Sequence, residues 1–353
     1  MERGLRADAP YLPTRDDDFE TRMRGALLES RTPVRRRRSP VWLWLGAVWL
    51  VLGALYLANG YAAPLRFDNA RIAGVAEVLA RGGTWQMNDL AIDFKRLRRA
   101  QIAALEQAPG IVILGGSSWR EVHQGAGWEH SVLNAFVPGM TRAGMSDLIE
   151  ALEARGMMPG HVVLSIEPGT FQAESDGAPD WLARLSPVAL VTGLAGGGET
   201  GASMQSSSRH EWVLLPDGSV MPPRASDPGR VEMLALSAAA QLSPEGIEID
   251  TAEVEAMGAL IAGLRAEGIA VTLAIPPVHP RFWDAVDDTP YRNGLDYLHE
   301  TATALATDHG AVVIGGHDPA GLGCGANMFH NARLAGPDCL GSLIQGIAVG
   351  DGV

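Results

Sequence analysis

The sequence predicts an α/β body built on a parallel sheet and carried behind one N-terminal transmembrane helix. Three observations predict it. Short runs of β-branched and aliphatic residues alternate with stretches of helical periodicity four or five times, the pattern of a parallel sheet with helices on both faces. Ser39–Leu65 carries no charge and contains the apolar run Val41–Ala58 (VWLWLGAVWLVLGALYLA), whose 18 residues approach the roughly 20 that cross a bilayer. The composition, 46% hydrophobic and 20% charged over 353 residues, is that of a globular chain.

Residues 1–38 hold 10 Arg against 7 Asp/Glu and end in Arg35-Arg36-Arg37-Arg38. They read as a disordered cytoplasmic tail that touches either anionic lipid or a cytoplasmic partner. The arginine block keeps the N-terminus in the cytoplasm, and Trp42, Trp44, Tyr56 and Tyr61 sit where aromatic side chains favour the interface. A cleaved signal peptide would need an n-region of about forty residues, far beyond the usual. Residues 39–63 therefore read as an uncleaved single-pass anchor in the bacterial inner membrane, with the body in the periplasm. The rest of the chain holds 18 Lys/Arg against 34 Asp/Glu, an acidic balance that argues against nucleic acid as a partner.

Residues 64–108 form an amphipathic, partly helical connector with Ile92, Phe94, Leu97, Ile102 and Leu105 as its apolar positions. The body, 109–345, opens on the strand Ile111–Leu114. Gly115 and Gly116 give it a tight turn open to positive φ, and Ser117 and Ser118 stand where a helix begins. Val132-Leu133 leads to Asn134 and the turn Val137-Pro138-Gly139. Thr141 caps a helix on Met145, Leu148, Ile149 and Leu152 that ends at Gly156, and Val162–Ile166 is the next strand. Residues 175–245, rich in Gly, Ser and Pro, predict long loops or an insertion over one face. Asp250 and Glu253 make a capping box for a helix closed by Gly268. The strand Ile269–Ile275 follows, then a helix through Leu295, Leu298 and Leu305, then the strand Ala311–Ile314.

In such sheets ligands bind outside the carboxyl ends of the strands. Those ends carry Ser117, then Asn134 and Gly139, then Glu167, then His279, then His317-Asp318, with Asn327-Met328-Phe329-His330 near the C-terminus. A hydroxyl followed far downstream by a histidine is the minimum for a nucleophile with a general base. The same serine also suits an N-cap on a plain βα turn.

The GGSS turn, the later N-x-x-x-x-G and the C-terminal histidine resemble the SGNH (GDSL-type) hydrolase superfamily, above all its membrane-anchored extracytoplasmic members. The resemblance covers roughly residues 85–345 and implies a three-layer, flavodoxin-like domain. Carried over by position, Ser117 matches the nucleophile, with Ser118 as the alternative one residue on. The N–H groups of Ser117 and Gly139 match the oxyanion hole, and His330 matches the general base. Two positions depart from the family. No Asn follows the strand at 162–166, where Glu167-Pro168-Gly169 stands instead, and loss of one oxyanion donor costs about 10²–10³ in rate. Asn327 occupies the place of the Asp that orients the histidine, a change that costs about 10⁴ in a serine protease. Asn134, Glu167, His279 and Asp318 are further candidates to line the crevice, Asp318 as a substitute acid.

Cys324 and Cys339, 15 residues apart and bracketing His330, read as a disulfide in an oxidising compartment. Closing such a loop stabilises by about 3 kcal/mol in the chain-entropy model. The histidines lack metal-ligand spacing, and neither a metal nor a cofactor is expected. The resemblance implies an ester hydrolase or O-acyltransferase acting on acylated cell-envelope glycan. The alternative is a catalytically degenerate scaffold that binds a glycan or a membrane-protein partner of an envelope polysaccharide complex. The chain has no phosphate-cradling GxGxxG or GxxxxGK[ST] after any strand.

Overall fold

The computed structural model describes residues 40–87, 92–125, 128–172, 212–222 and 227–348. The tail at 1–38 and the Gly/Ser-rich stretches 195–198 and 206–208 lie outside them. The chain divides into two compact units, Met1–Leu57 and Ala58–Val353. Helix α1, Pro40–Ala80, starts in the first and continues into the second. In the first unit Trp44, Trp49 and Leu50 are all more than 70% exposed (73%, 72% and 76%). Among the described residues no helix is long and apolar enough to cross a membrane. Side chains at 41–43 and 55–58 of the expected span lie outside the described residues.

In the second unit the last turns of α1 bury Ile72, Val75, Ala76 and Leu79. β1 is Trp85–Met87. α2, Phe94–Ala104, is capped by Asp93, which accepts from the Arg96 N–H. Its buried positions include the expected Phe94, Leu97 and Ile102, and also Arg98 and Gln101. β2 is Ile111–Leu114 and β3 Val132–Asn134. α3, Arg142–Ala154, is capped by Thr141 as its sequence predicts, and Gly156 closes it at φ +63°. β4 is His161–Ser165.

The region read as loops contains regular structure. β5, Trp212–Leu214, and β6, Val220–Met221, form an antiparallel three-stranded sheet with β1. α4, Pro228–Ala240, has Asp227 as N-cap and proline in its first turn. α5, Thr251–Ala266, is capped by Asp250, but the capping box does not form. The Asp250 N–H donates to Phe171 O, and Glu253 instead receives Arg142 Nε at 2.7 Å. β7 is Ala270–Ile275, α6 Pro280–Ala285, α7 Pro290–His309, β8 Val312–Gly315 and α8 Pro337–Ala348.

The main sheet is parallel, five-stranded, in the order β3-β2-β4-β7-β8. Alternate residues feed two cores, as the two-residue period of a strand requires. Val112, Leu114, Leu164 and Leu273 pack with α3, α5 and α7, while Ile111, Ile113, Val163 and Ala274 pack with α2, α8 and the end of α1. Both faces are covered, which is why these strands read as continuous apolar runs.

Candidate functional site

β2 is the first strand of the parallel sheet in sequence, and the chain passes to β3 on one side and to β4 on the other. This reversal is a topological switch point, where the loops leaving neighbouring strands diverge and open a crevice. A cleft of about 380 Å³ lies there. Ser117 and Ser118 from the loop after β2, Gly139 from that after β3 and Glu167 from that after β4 line it. Gln172, Tyr291, His317 and Arg333 complete its polar lining. Of the residues singled out in the sequence, Ser117, Ser118, Gly139 and Glu167 thus share one cleft. His330, Asn327, Asn134, His279 and Asp318 are not among its lining residues.

The paired glycines serve close approach rather than positive φ, since Gly116 has φ −81°. A Cβ on Gly115 would lie 2.5 Å from Trp119 Cδ1 and 2.6 Å from Ser165 Cβ, and one on Gly116 would lie 2.5 Å from Glu167 Oε2. The element after them is a single 3₁₀ turn, Ser117–Trp119, and not the expected α-helix. Trp119 Nε1 donates to Ser165 Oγ, which donates in turn to Glu167 Oε1 at 2.9 Å. The Gly116 N–H donates to the same oxygen at 2.9 Å. Burial pushes the Glu167 carboxyl above its ordinary range, and hydrogen bonds from Ser165 and Gly116, with the charge of Arg333, partly offset this. A carboxyl, and no Asn, therefore stands at the end of β4.

Gly139 needs its freedom at φ +69°. Asn134 is a clamp: its Nδ2 donates to Trp119 O and Val122 O and its Oδ1 accepts from the Phe136 N–H, fixing the serine turn from behind. His279 caps α6, with Nδ1 accepting from the Arg281 N–H, and packs edge-on against Phe329. Asp318 is exposed and accepts from the Ala320 N–H. Asn327 is exposed in the 3₁₀ turn Ala326–Met328.

His330 begins a tight hairpin, with a bridge between Phe329 and Ala335 and the His330 N–H donating to Leu334 O. Asn331 Oδ1 accepts from the N–H groups of Arg333 and Leu334 and sets the bend. The disulfide Cys324–Cys339 closes the loop around it, as expected from the spacing. This hairpin docks on the serine turn at two points. Ser118 Oγ donates to Arg333 O at 3.1 Å, and His330 Nε2 lies 2.8 Å from Glu121 Oε2. The second contact is an ion-pair approach not aligned as a hydrogen bond. Glu121 is only 4% exposed, and its Oε1 accepts from Arg120 Nε and Nη2. No motif in the sequence marked this carboxylate, whose position follows only from the docking of two segments over two hundred residues apart.

His317, also a strand-end residue, is buried in the cleft wall, and its Nδ1 lies 3.2 Å from Pro276 O. A carbonyl only accepts, so Nδ1 carries the hydrogen. Burial lowers the His317 pKa to about 4. The unfolded chain takes up this proton near pH 6.5, which the folded chain resists until about pH 4. Stability carried by His317 is expected to be complete above pH 6.5 and to fall by about 3 kcal/mol as pH drops to 4. Urea midpoints across that range, wild type minus His317→Gln, measure it. A flat difference would show that the folded histidine titrates normally.

Among the described residues no group of His, Cys, Asp and Glu side chains is arranged to hold a metal ion. Set against known protein families and curated proteins, the chain matches no family model and no curated sequence.

Proposed function

We propose that the chain is an SGNH-like ester hydrolase or O-acyltransferase with a three-layer, flavodoxin-like domain. Residues 41–58 anchor it in the inner membrane, and it acts on acylated envelope glycan from the periplasmic side. The observation that carries this reading is the docking of the His330 hairpin onto the Ser117–Glu121 segment, which sets a histidine against a buried carboxylate of the segment that bears the serine. Ser117 at the switch point of the sheet, with Gly139 across the same cleft, adds support.

In this reading Ser117 Oγ attacks the acyl carbonyl and His330 takes its proton. The N–H groups of Ser117 and Gly139 hold the oxyanion, and Glu121 stabilises the imidazolium. The proton then passes to the departing alcohol. Water or a glycan hydroxyl attacks the acyl-enzyme in the reverse sense. No step calls for a cofactor.

The test is a fluorophosphonate probe applied to the full chain in detergent, with the adduct located by mass spectrometry. A phosphonyl group on Ser117, absent from Ser117→Ala and slowed in His330→Ala, is the expected result. An adduct on Ser118 would move the nucleophile by one residue. A folded protein that takes no label would leave the scaffold reading. Two observations favour that alternative: the nitrogen nearest the carboxylate is Nε2, and His330 does not line the cleft.

A further inference from the structure

Two buried polar atoms in the cleft wall have no partner among the described residues: Tyr291 Oη and His317 Nε2. Tyr291 is 6% exposed and His317 4%, and both residues line the cleft. Leaving such atoms unpaired opposes folding, so their retention in a cleft requires an explanation. Their chemistry is specific. With Nδ1 committed to Pro276 O, His317 Nε2 presents a lone pair, and the lowered pKa keeps it so at neutral pH. It accepts and needs a hydroxyl or N–H donor. Burial raises the Tyr291 pKa, which leaves a neutral phenol able to donate.

The third member is Arg333, at the tip of the His330 hairpin. Its guanidinium carbon lies 5.5 Å from the Tyr291 ring centroid and 5.6 Å from that of Phe282. It is exposed at the rim of the cleft, and its charge acts on Glu167 and Tyr291 in the cleft wall. A guanidinium only donates, and it pairs best with charged acceptor oxygens. An acyl chain satisfies none of these three groups. A hydroxyl beside an anionic oxygen satisfies them all.

We propose that Tyr291, His317 and Arg333 form a subsite for a hydroxyl-bearing anion. Arg333 and Tyr291 donate to a carboxylate or phosphate, and His317 Nε2 accepts from a neighbouring hydroxyl. The cleft, at about 380 Å³, has the size of a small-ligand site. Only the ligand's role rests on the esterase reading, where it becomes the alcohol portion of the ester. The binding itself does not.

The test is calorimetric titration of the full chain in detergent with D-glucuronate, D-glucose 6-phosphate and D-glucose. The nitrogen resonances of ¹⁵N-histidine-labelled protein are followed in parallel. Both anions, or whichever of the carboxylate and phosphate the subsite selects, are expected to bind at least tenfold tighter than glucose. Arg333→Gln is expected to abolish that preference, and the His317 Nε2 resonance to move upfield as the hydroxyl binds. Anion binding is read without any acyl donor, so a failed acyl chemistry and a failed subsite are read separately. His317→Leu is expected to weaken anion binding at least tenfold. Where that variant does not fold, the Nε2 shift in wild type decides. Glucose binding as tightly as the anions would overturn the proposal, as would an Nε2 resonance indifferent to all three sugars, which assigns these atoms an ordered water only.

Discussion

Ser117→Ala is expected to bring p-nitrophenyl acetate turnover to the uncatalysed background, and Glu121→Gln to lower kcat about 10²–10⁴-fold with KM little changed. The size of the second effect follows from what a carboxylate does for a catalytic histidine: it fixes the tautomer and stabilises the charge that appears as the serine proton arrives. Both effects act on the transition state, so they appear in kcat rather than KM. Glu121 is the group the structure puts against the ring, at 2.8 Å from Nε2, and it is held by Arg120, whose guanidinium stacks 4.5 Å over the Trp212 ring. Arg120→Met is thus expected to act in the same direction and less strongly. Asn327, exposed in its 3₁₀ turn, is the discriminating control. If Asn327 orients His330, Asn327→Asp raises kcat and Asn327→Ala lowers it as far as Glu121→Gln. If Glu121 holds that role, both Asn327 variants stay within a few-fold of wild type.

What the sequence made legible, and what it did not, divides along the range of the interactions involved. The strand at 111–114, the caps at Thr141 and Asp250 and the stop at Gly156 were readable, because each depends on a few consecutive residues. So was the parallel sheet, whose strands are apolar throughout because both faces are covered. The three-stranded sheet was not. Its strands of two or three residues are too short to display a period, and β1 finds β5 more than a hundred residues away. α4 did carry a signal, Asp227-Pro228 before an alanine-rich run, hidden within a stretch whose composition suggested loops. In the site, Ser117, Gly139 and Glu167 were found by their place after strands. Glu121, Tyr291 and Arg333 were not, since none follows a strand and each gains its meaning from a partner distant in sequence.

The largest effect on stability is expected at Arg98, which composition would assign to the surface. It is fully buried on α2, stacked 4.6 Å from the Phe136 ring and 5.5 Å from that of Phe94. Nε donates to Phe136 O at 3.0 Å, Nη2 to Gly218 O at 2.7 Å and Nη1 to Gln101 Oε1. Three segments meet on this one side chain: α2, the loop leading to Gly139 and the turn between β5 and β6. That turn approaches so closely that a Cβ on Gly218 would lie 2.4 Å from Asn134 O. Burial lowers the Arg98 pKa to about 9, with the charge of Asp217 opposing the shift, so the guanidinium is still protonated at neutral pH. Arg98→Met keeps much of the volume but leaves two buried carbonyls without donors, and is expected to cost about 3–5 kcal/mol by urea unfolding. Arg98→Lys is not expected to rescue it, because a single ammonium cannot span acceptors that a planar fork reaches in different directions. Phe136 lies three residues before Gly139, so in the folded fraction of Arg98→Met the N–H proposed as second oxyanion donor is also expected to lose its placement and kcat to fall. A loss below 1 kcal/mol with kcat intact would mean that the Phe94–Phe136 packing alone holds this corner, and that the guanidinium is a passenger in it.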